Sequence, residues 1–391
     1  MERLGRNSPM DNRIGAAEDF GARIVAAIDL DYFFAQCEEV RKPELAGSPV
    51  VICVYSGRTQ DSGAVSTCNY VARGLGVRSG IPILSAKRML KEHPEAAFLP
   101  IDKEYYESVS ERVMDVLRSE GDRFEQVSID EAFLDVTIRC QGDYRRAEQV
   151  GARIKGRIRD IERLTCSVGI SSNKLIAKMA ADECKPNGLL LVPPEGITNF
   201  LRDKPVGKLP GIGPKSEAKL ASLGVRTLGE LGLIDGSKLI EQFGRNLGPH
   251  LKRSALGIDN DPVREKEVEQ FSRIITLKHD TKEFDFQEEL LPLAEDIATR
   301  MKASNVRCRS VGIIAITTKL SPKSRSHTLK EATGSGQVIF REACELFRSF
   351  FSEAKESTDV RRVGVRVSAL ERGNGPEQEK SGSGPSLTDY I

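Results

Sequence analysis

From Arg23 onward the chain alternates short apolar runs with stretches of helical spacing. Ile24–Ile28 (IVAAI) is continuously apolar, as expected of a strand buried on both faces, and it runs into Asp29-Leu30-Asp31. Ser48–Tyr55 (SPVVICVY) reads as a second strand, and Ile83–Lys91 and Glu104–Ser119 have helical spacing. Gln126–Thr137 (QVSIDEAFLDVT) reads as two short strands with a tight turn at Ile129-Asp130. Gln149–Arg163 is helical, Thr165–Ile170 is a strand, and Ser172 is placed to cap a helix over Lys174–Asp182. The alternation has no simple βαβ repeat, so this half is expected to be mixed α/β. Leu189–Ile258 changes to a helix-rich, glycine-punctuated pattern, and the polar Asp259–Gln270 reads as an interdomain linker. The rest has a regular rhythm: strand Ser272–Lys278, helix Gln287–Ser304, strands Arg309–Leu320 and Arg325–Ala332, helix Gln337–Ser352, strand Arg361–Leu370. That βαββαβ order is the ferredoxin-like split unit. Residues 1–22 read as a loose N-terminal extension, and Glu371–Ser386, rich in Gly, Ser, Glu and Pro, as a disordered tail.

Composition narrows the class. A length of 391 residues implies about two to four domains. No apolar run approaches the ~18 residues of a membrane span, and the N-terminus lacks the apolar core of a signal peptide. Eight scattered cysteines with no CxxC pair argue against a disulfide framework and for a reducing cytoplasm. Four histidines, none paired at ligand spacing, argue strongly against a His-based zinc hydrolase. The net charge of +1 hides an asymmetry: Leu189–Ile258 holds ten Lys/Arg against six Asp/Glu, and Phe271–Leu370 seventeen against thirteen. A basic C-terminal half and an acidic N-terminal half suit an anionic polymer held at one end and cation chemistry at the other; chance fluctuation of charge is the competing account.

Three local patterns carry chemistry. Asp29 closes a buried strand, and Asp130 and Glu131 sit at a hairpin turn. Carboxylates converging on one point repel unless a cation joins them, and hard divalent cations choose carboxylate oxygen. Two such ions could clamp the attacking and leaving oxygens of a phosphoryl transfer, although the same acids also suit solvated strand ends. Leu209-Pro210-Gly211-Ile212-Gly213 reads as the hairpin of a helix-hairpin-helix, with Gly211, Gly213 and Lys215 facing a DNA phosphate; an ordinary glycine turn is the alternative. Phe243-Gly244 through Leu256-Gly257 reads as a degenerate second copy. Finally, Arg300, Lys302, Arg307, Arg309, Lys319, Lys323, Arg325 and Lys330 fall in a stretch with no Asp or Glu, which favours a surface that tracks a DNA backbone.

The phrases IDLDYFFAQCEEV, GAVSTCNYVARGLGVRSGIP, SIDEAFLDVT, SVGISSNKLIAKMAAD and KPNGL occur in this order. Together they closely resemble the Y-family DNA polymerases, in the DNA polymerase IV branch used for translesion synthesis, from about Arg23 to Leu370. The resemblance implies that Asp29, Asp130 and Glu131 are catalytic and hold two Mg²⁺ ions, with the Leu30 carbonyl as a backbone ligand; Asp31 is not assigned to metal. It places Tyr70, Arg73 and Lys185 on the β and γ phosphates of a dNTP, with Thr67 adding a hydroxyl. Phe33 and Phe34 fall beside the nucleotide: the Phe33 ring is read as core, whereas Phe34 matches the steric gate under the sugar. Val54, Ala64 and Ser66 match positions over the nascent base pair, and their small size implies a tolerant pocket.

The resemblance further implies a right-hand polymerase. Its palm is 23–32 with 100–192, its fingers 33–99, its helical thumb 193–258 and its ferredoxin-like little finger 271–370. Its reaction is template-directed addition of dNTPs to a primer 3′-hydroxyl, with low fidelity and no proofreading nuclease. The expected partners are primer–template DNA and dNTP, with no membrane, and the chain is expected to be a cytoplasmic monomer. The C-terminal Leu387, Tyr390 and Ile391 partly match a sliding-clamp-binding peptide, with Gly384 where Gln is expected. A catalytically silent DNA-binding scaffold and a nucleotidyl cyclase are the rival readings.

Overall fold

The computed structural model describes residues 23–265, 267–353 and 359–372. The expected N-terminal extension and the clamp-peptide residues Leu387, Tyr390 and Ile391 lie outside them. Twelve strands follow in chain order among the described residues: β1 Val25–Leu30, β2 Val50–Tyr55, β3 Gly63–Cys68, β4 Ala97–Pro100, β5 Arg123–Gln126, β6 Glu131–Asp135, β7 Cys166–Ser171, β8 Leu189–Leu191, β9 Gln270–Thr281, β10 Val306–Thr317, β11 Pro322–Thr333 and β12 Val360–Arg372. The chain divides into two units, Met1–Pro43 with Glu104–Lys266, and Glu44–Lys103 with Glu267–Ile391.

The first unit is built on a five-stranded sheet in the order β5-β6-β1-β7-β8. The apolar run of β1 places it centrally, buried along its whole length and antiparallel to both β6 and β7. Helix Lys174–Glu183 packs close to this sheet because β7 carries Gly169: a Cβ there would fall 2.0 Å from the Ala177 carbonyl oxygen. The cap of that helix is Asn173, not Ser172. Its Oδ1 accepts from Ile176 N–H at 3.0 Å, which requires the extended backbone found at Asn173. A helical part follows, with Val206, Leu209, Ile212, Leu220 and Leu251 in its core.

The polar segment after Ile258 is not free chain. Arg23 donates to the carbonyls of Asp259 and Asp261, and Leu175 N–H donates to the Asp259 carboxylate. Val263 is fully buried among Val25, Ala27, Phe133, Ala177 and Ala181.

The second unit contains two sheets. β3-β2-β4 is three-stranded, with β2 antiparallel to β3 and parallel to β4; only β2 is evident from the sequence pattern. The other sheet runs β11-β10-β12-β9 with every neighbouring pair antiparallel. β9 and β10 therefore flank β12, and β11 and β12 flank β10, so each βαβ crossover is split by a strand of the other, as the βαββαβ order implied. Helices Phe286–Ala303 and Gly336–Glu353 cover the face carrying Val311, Ile313, Val363, Val365 and Val367.

All eight cysteines are unpaired, and all but Cys184 are buried. Burial raises the pKa of Cys53, Cys140 and Cys308 to about 11 and that of Cys166 to about 12.

Candidate active site

β1 and β6 pair so that Asp29 stands opposite Glu131. In a pleated pair, side chains of directly opposed residues leave the same face, so both carboxylates meet on one face of the sheet, where β1 ends and β6 begins. The turn before β6 adds Asp130, tied to the end of β1 by Leu30 N–H donating to the Asp130 carbonyl at 2.9 Å. Ser128 Oγ donates to the Asp130 carboxylate at 2.5 Å. Tyr32 then adopts the left-handed conformation (φ 36°), turning the chain sharply into helix Phe33–Arg41.

Two ammonium groups lie among these acids. Lys178 Nζ is 2.7 Å from Asp29 Oδ2 and 3.0 Å from Glu131 Oε2. Lys185 Nζ is 2.7 Å from the same Asp29 oxygen and 3.0 Å from Asp182. Burial, reinforced by Asp29, raises the pKa of Asp130, and burial also raises that of Glu131. Burial alone would lower both lysine pKa values, but the neighbouring carboxylates together outweigh it and raise them: Asp29, Glu131 and Asp182 at Lys178, and Asp29 and Asp182 at Lys185.

Among the described residues no group of three His, Cys, Asp or Glu side chains stands at metal-holding distance. The donor set nevertheless fits a hard cation: it is all carboxylate oxygen, and a lysine ammonium already bridges two of its members. Asp31 is a different case. It is fully buried, and its carboxylate accepts from Thr165 Oγ1, Ser167 Oγ and Asn187 N–H, so it fastens the strand ends together.

Phe34 lies over Tyr106 with ring centroids 4.6 Å apart, and Phe33 packs on both rings. At 2% exposure the Phe33 ring is core, which limits any contact it makes with a nucleotide to its backbone. In the second unit, helix Tyr70–Gly74 puts Tyr70 and Arg73 on one face, with the Arg73 guanidinium 5.1 Å from the Tyr70 ring centroid and 3.4 Å from Thr67 Oγ1. Asn69 caps that helix by accepting from Ala72 N–H, and its amide also donates to the Ser48 carbonyl. Val54 and Ala64 face each other across β2 and β3.

Gly211 takes φ +87° in an exposed hairpin, and the exposed Gly213 precedes helix Pro214–Ser222, whose first turn carries the exposed Lys215. At the suspected second copy, Gly244 (φ +82°) breaks helix Gly236–Ala255, and Gly248 lets its two arms approach where a Cβ would meet the Leu239 backbone at 2.7 Å.

In the four-stranded sheet Arg307, Arg309, Lys319, Lys323 and Lys330 are exposed. Arg325 departs from the expected cationic surface: it points to the helix-covered side, pairing with Glu353 at 2.9 Å, donating to Ser349 and lying over Phe350. Sequence reading missed Arg362 and Arg366. They alternate with the buried Val363, Val365 and Val367, so they project from the face the helices leave open. The signal was present in RVGVRV, where Arg362 and Arg366 are in phase with Gly364 and out of phase with Val363, Val365 and Val367. Lys178 was missed as well, although it lies one helical turn after Lys174 within a quoted motif.

Comparison with known proteins agrees with this geometry. Residues 28–182 match the impB/mucB/samB family, residues 268–381 its C-terminal domain, and residues 207–259 the DNA polymerase-iota thumb domain. The DNA polymerase IV of Methanosarcina acetivorans is 44% identical over 94% of this chain and 99% of its own length. That of Nitrosopumilus maritimus is 41% identical over 90% and 97%. Among solved structures, a Y-family DNA polymerase chimera of Dbh and Dpo4 superposes with a TM-score of 0.81 at 35% identity, covering 89% of this chain and 99% of the chimera. An insertion ternary complex of Dbh DNA polymerase gives 0.67 at 35% identity, covering 88% and 98%. With a paired-strand carboxylate site, a helix-hairpin-helix segment and a basic split βαββαβ sheet in one chain, this protein belongs to the Y-family of DNA polymerases, in the DNA polymerase IV branch, and is a DNA-directed translesion polymerase.

Proposed function

We propose that the chain adds dNTPs to a primer 3′-hydroxyl opposite a template base, releasing pyrophosphate, at a site where Asp29, Asp130, Glu131 and the Leu30 carbonyl hold two Mg²⁺ ions. The observation that carries this reading is the pairing of Asp29 with Glu131 across β1 and β6, with Asp130 hydrogen-bonded to the end of the same strand. Bound there, Mg²⁺ would neutralise the acids and the phosphates and favour attack by the 3′-oxygen. The chain's own residues do the rest. Tyr70, Arg73 and Thr67 bind the β and γ phosphates, with the planar Arg73 fork matched to phosphate oxygens and Lys185 supplying a point charge. Phe34 excludes the 2′-hydroxyl by its bulk, while the small Val54, Ala64 and Ser66 leave the base pair loosely enclosed.

The palm, fingers, thumb and little finger are assigned as 23–32 with 100–192, 33–99, 193–258 and 271–370. Gly211, Gly213 and Lys215 position duplex phosphates, and Arg307, Arg309, Lys319, Lys323, Lys330, Arg362 and Arg366 follow the backbone. Such contacts carry no sequence information, as a polymerase requires. Synthesis by this chain is of low fidelity, without proofreading. It works as a monomer, and its unpaired cysteines support a reducing cytoplasm. Its C-terminal segment docks on a sliding clamp.

Extension of a labelled primer on an undamaged and an abasic template, with Mg²⁺ or with chelator, tests the reading. Template-dependent, Mg²⁺-dependent extension on both supports it. Nucleotide conversion without a template would favour a cyclase, and DNA binding without synthesis a silent scaffold.

A further inference from the structure

Asp29 Oδ2 carries two ammonium contacts at once, from Lys178 and Lys185 at 2.7 Å each. Lys178 also reaches Glu131, so it joins the two acids that face each other across the sheet. Among the described residues no ammonium pairs with Asp130, whose carboxylate Ser128 holds. Both lysines approach one further group, Asp182, at 3.6 Å from Lys178 and 3.0 Å from Lys185. Asp182 lies one helical turn beyond Lys178, and its side chain is 45% exposed, so it stands at the solvent edge of the cluster.

We propose that Lys178 is a positioning residue: an internal counter-cation that holds Asp29 and Glu131 together in the metal-free enzyme and moves to Asp182 when a divalent cation takes their oxygens. The inference rests on the metal reading given above. Two facing carboxylates largely shielded from water would push apart without a cation between them, and a tethered ammonium prevents this. The same ammonium uses oxygens a metal needs, so binding must displace it. Asp182 lowers the cost of that displacement by offering a carboxylate within one side chain's swing. Lys185 shares both Asp29 and Asp182, but its assigned place is on the nucleotide, which leaves Lys178 as the residue dedicated to the acids.

The test uses the full-length protein without DNA or nucleotide, with Mn²⁺ as the probe. Binding is read by electron paramagnetic resonance and melting temperature with chelator against saturating Mn²⁺. Lys178→Met should bind Mn²⁺ more tightly, by about tenfold if one ammonium–carboxylate competitor is lost, and should show a larger metal-induced rise in melting temperature. Lys178→Arg should restore values near wild type. Asp182→Asn, which keeps the acids and removes the receiving group, should weaken Mn²⁺ binding. Unchanged or weaker binding in a folded Lys178→Met protein overturns the proposal. If that variant does not fold, unchanged Mn²⁺ affinity in Asp182→Asn overturns it. Absence of Mn²⁺ binding in the wild type would instead overturn the metal reading itself.

Discussion

Phe34 and Tyr106 lie as a stacked pair, their ring planes within 12° of each other. Tyr106 is fully buried and its hydroxyl donates to Glu38 at 3.0 Å, so it forms a fixed floor that sets the height of the Phe34 ring. Replacing Phe34 by Ala should raise ribonucleotide use relative to deoxyribonucleotide use by roughly 10- to 200-fold, the range for a pocket that gains or loses one small group. It should also cost up to about 3–5 kcal/mol of stability, since the ring is mostly buried. Single-nucleotide incorporation with both sugars checks the first, and urea unfolding the second. An unchanged sugar ratio would reduce Phe34 to a core residue.

Asp130→Ala and Glu131→Ala should each reduce primer extension by on the order of a thousandfold or more, because charge developing in the transition state loses its support. Primer–template affinity should stay within about twofold, since backbone contacts dominate it. Fluorescence anisotropy with labelled duplex, run beside extension assays, separates the two. Near-normal turnover in either variant contradicts the assignment.

Asp280 is hydrogen-bonded by Arg361 at 2.7 and 3.2 Å and paired with Arg58 at 2.5 Å, and these partners lower its pKa to about 2. A carboxylate whose pKa is depressed on folding adds stability above its unfolded value near 3.9 and loses it as pH falls toward 2. Asp280→Asn should therefore be less stable than wild type at pH 5, and the gap should close between about pH 4 and pH 2. Thermal melts of both proteins across that window check the sign; a gap that widens on acidification is the contrary result.

Val263→Ala should destabilise the protein by about 2 kcal/mol, from two lost methyl groups and the space they leave. Val263→Asp should cost more, because it buries an unpaired charge. Urea titration followed by circular dichroism reads both. A cost below about 0.5 kcal/mol for the Ala variant, as at an ordinary surface site, would mean that the segment after Ile258 is held by its polar contacts alone.

Deleting Leu387–Ile391 should leave synthesis by the free enzyme intact and remove stimulation by a clamp loaded on primed DNA, since a short apolar tip on a tether acts by raising effective concentration. Equal stimulation of the truncated and complete chains contradicts clamp docking.

Much of the fold was legible because hydrophobic period and element type agreed. The continuous run at Ile24–Ile28, the alternation at Arg361–Leu370 and the βαββαβ order each follow from what a strand or helix must bury. β3 and β4 were not, because Gly63–Cys68 has no alternation and Ala97–Pro100 is too short to declare one; their pairing to β2 comes from long-range packing. Opposition of Asp29 and Glu131 depends on register, which no local pattern states. Arg325 shows the complementary limit: charge counted along a strand does not say which face each residue takes, and a Glu353 on the covering helix drew this one inward. The polarity of Asp259–Gln270 masked Val263, a single apolar residue that decides where the segment lies.

The eight thiols have a practical consequence. Burial raises the pKa of all eight, to about 11 or 12 at Cys53, Cys140, Cys166 and Cys308, so they are protonated at neutral pH, and the protonated form is a poor nucleophile. Maleimides, iodoacetamide and peroxide should all react slowly with the native chain. One cysteine introduced at an exposed position, such as Leu233 in the helical part, would then outrun all the native ones. Dyes or spin labels could be attached there at a defined place without first stripping the protein of its own sulfur.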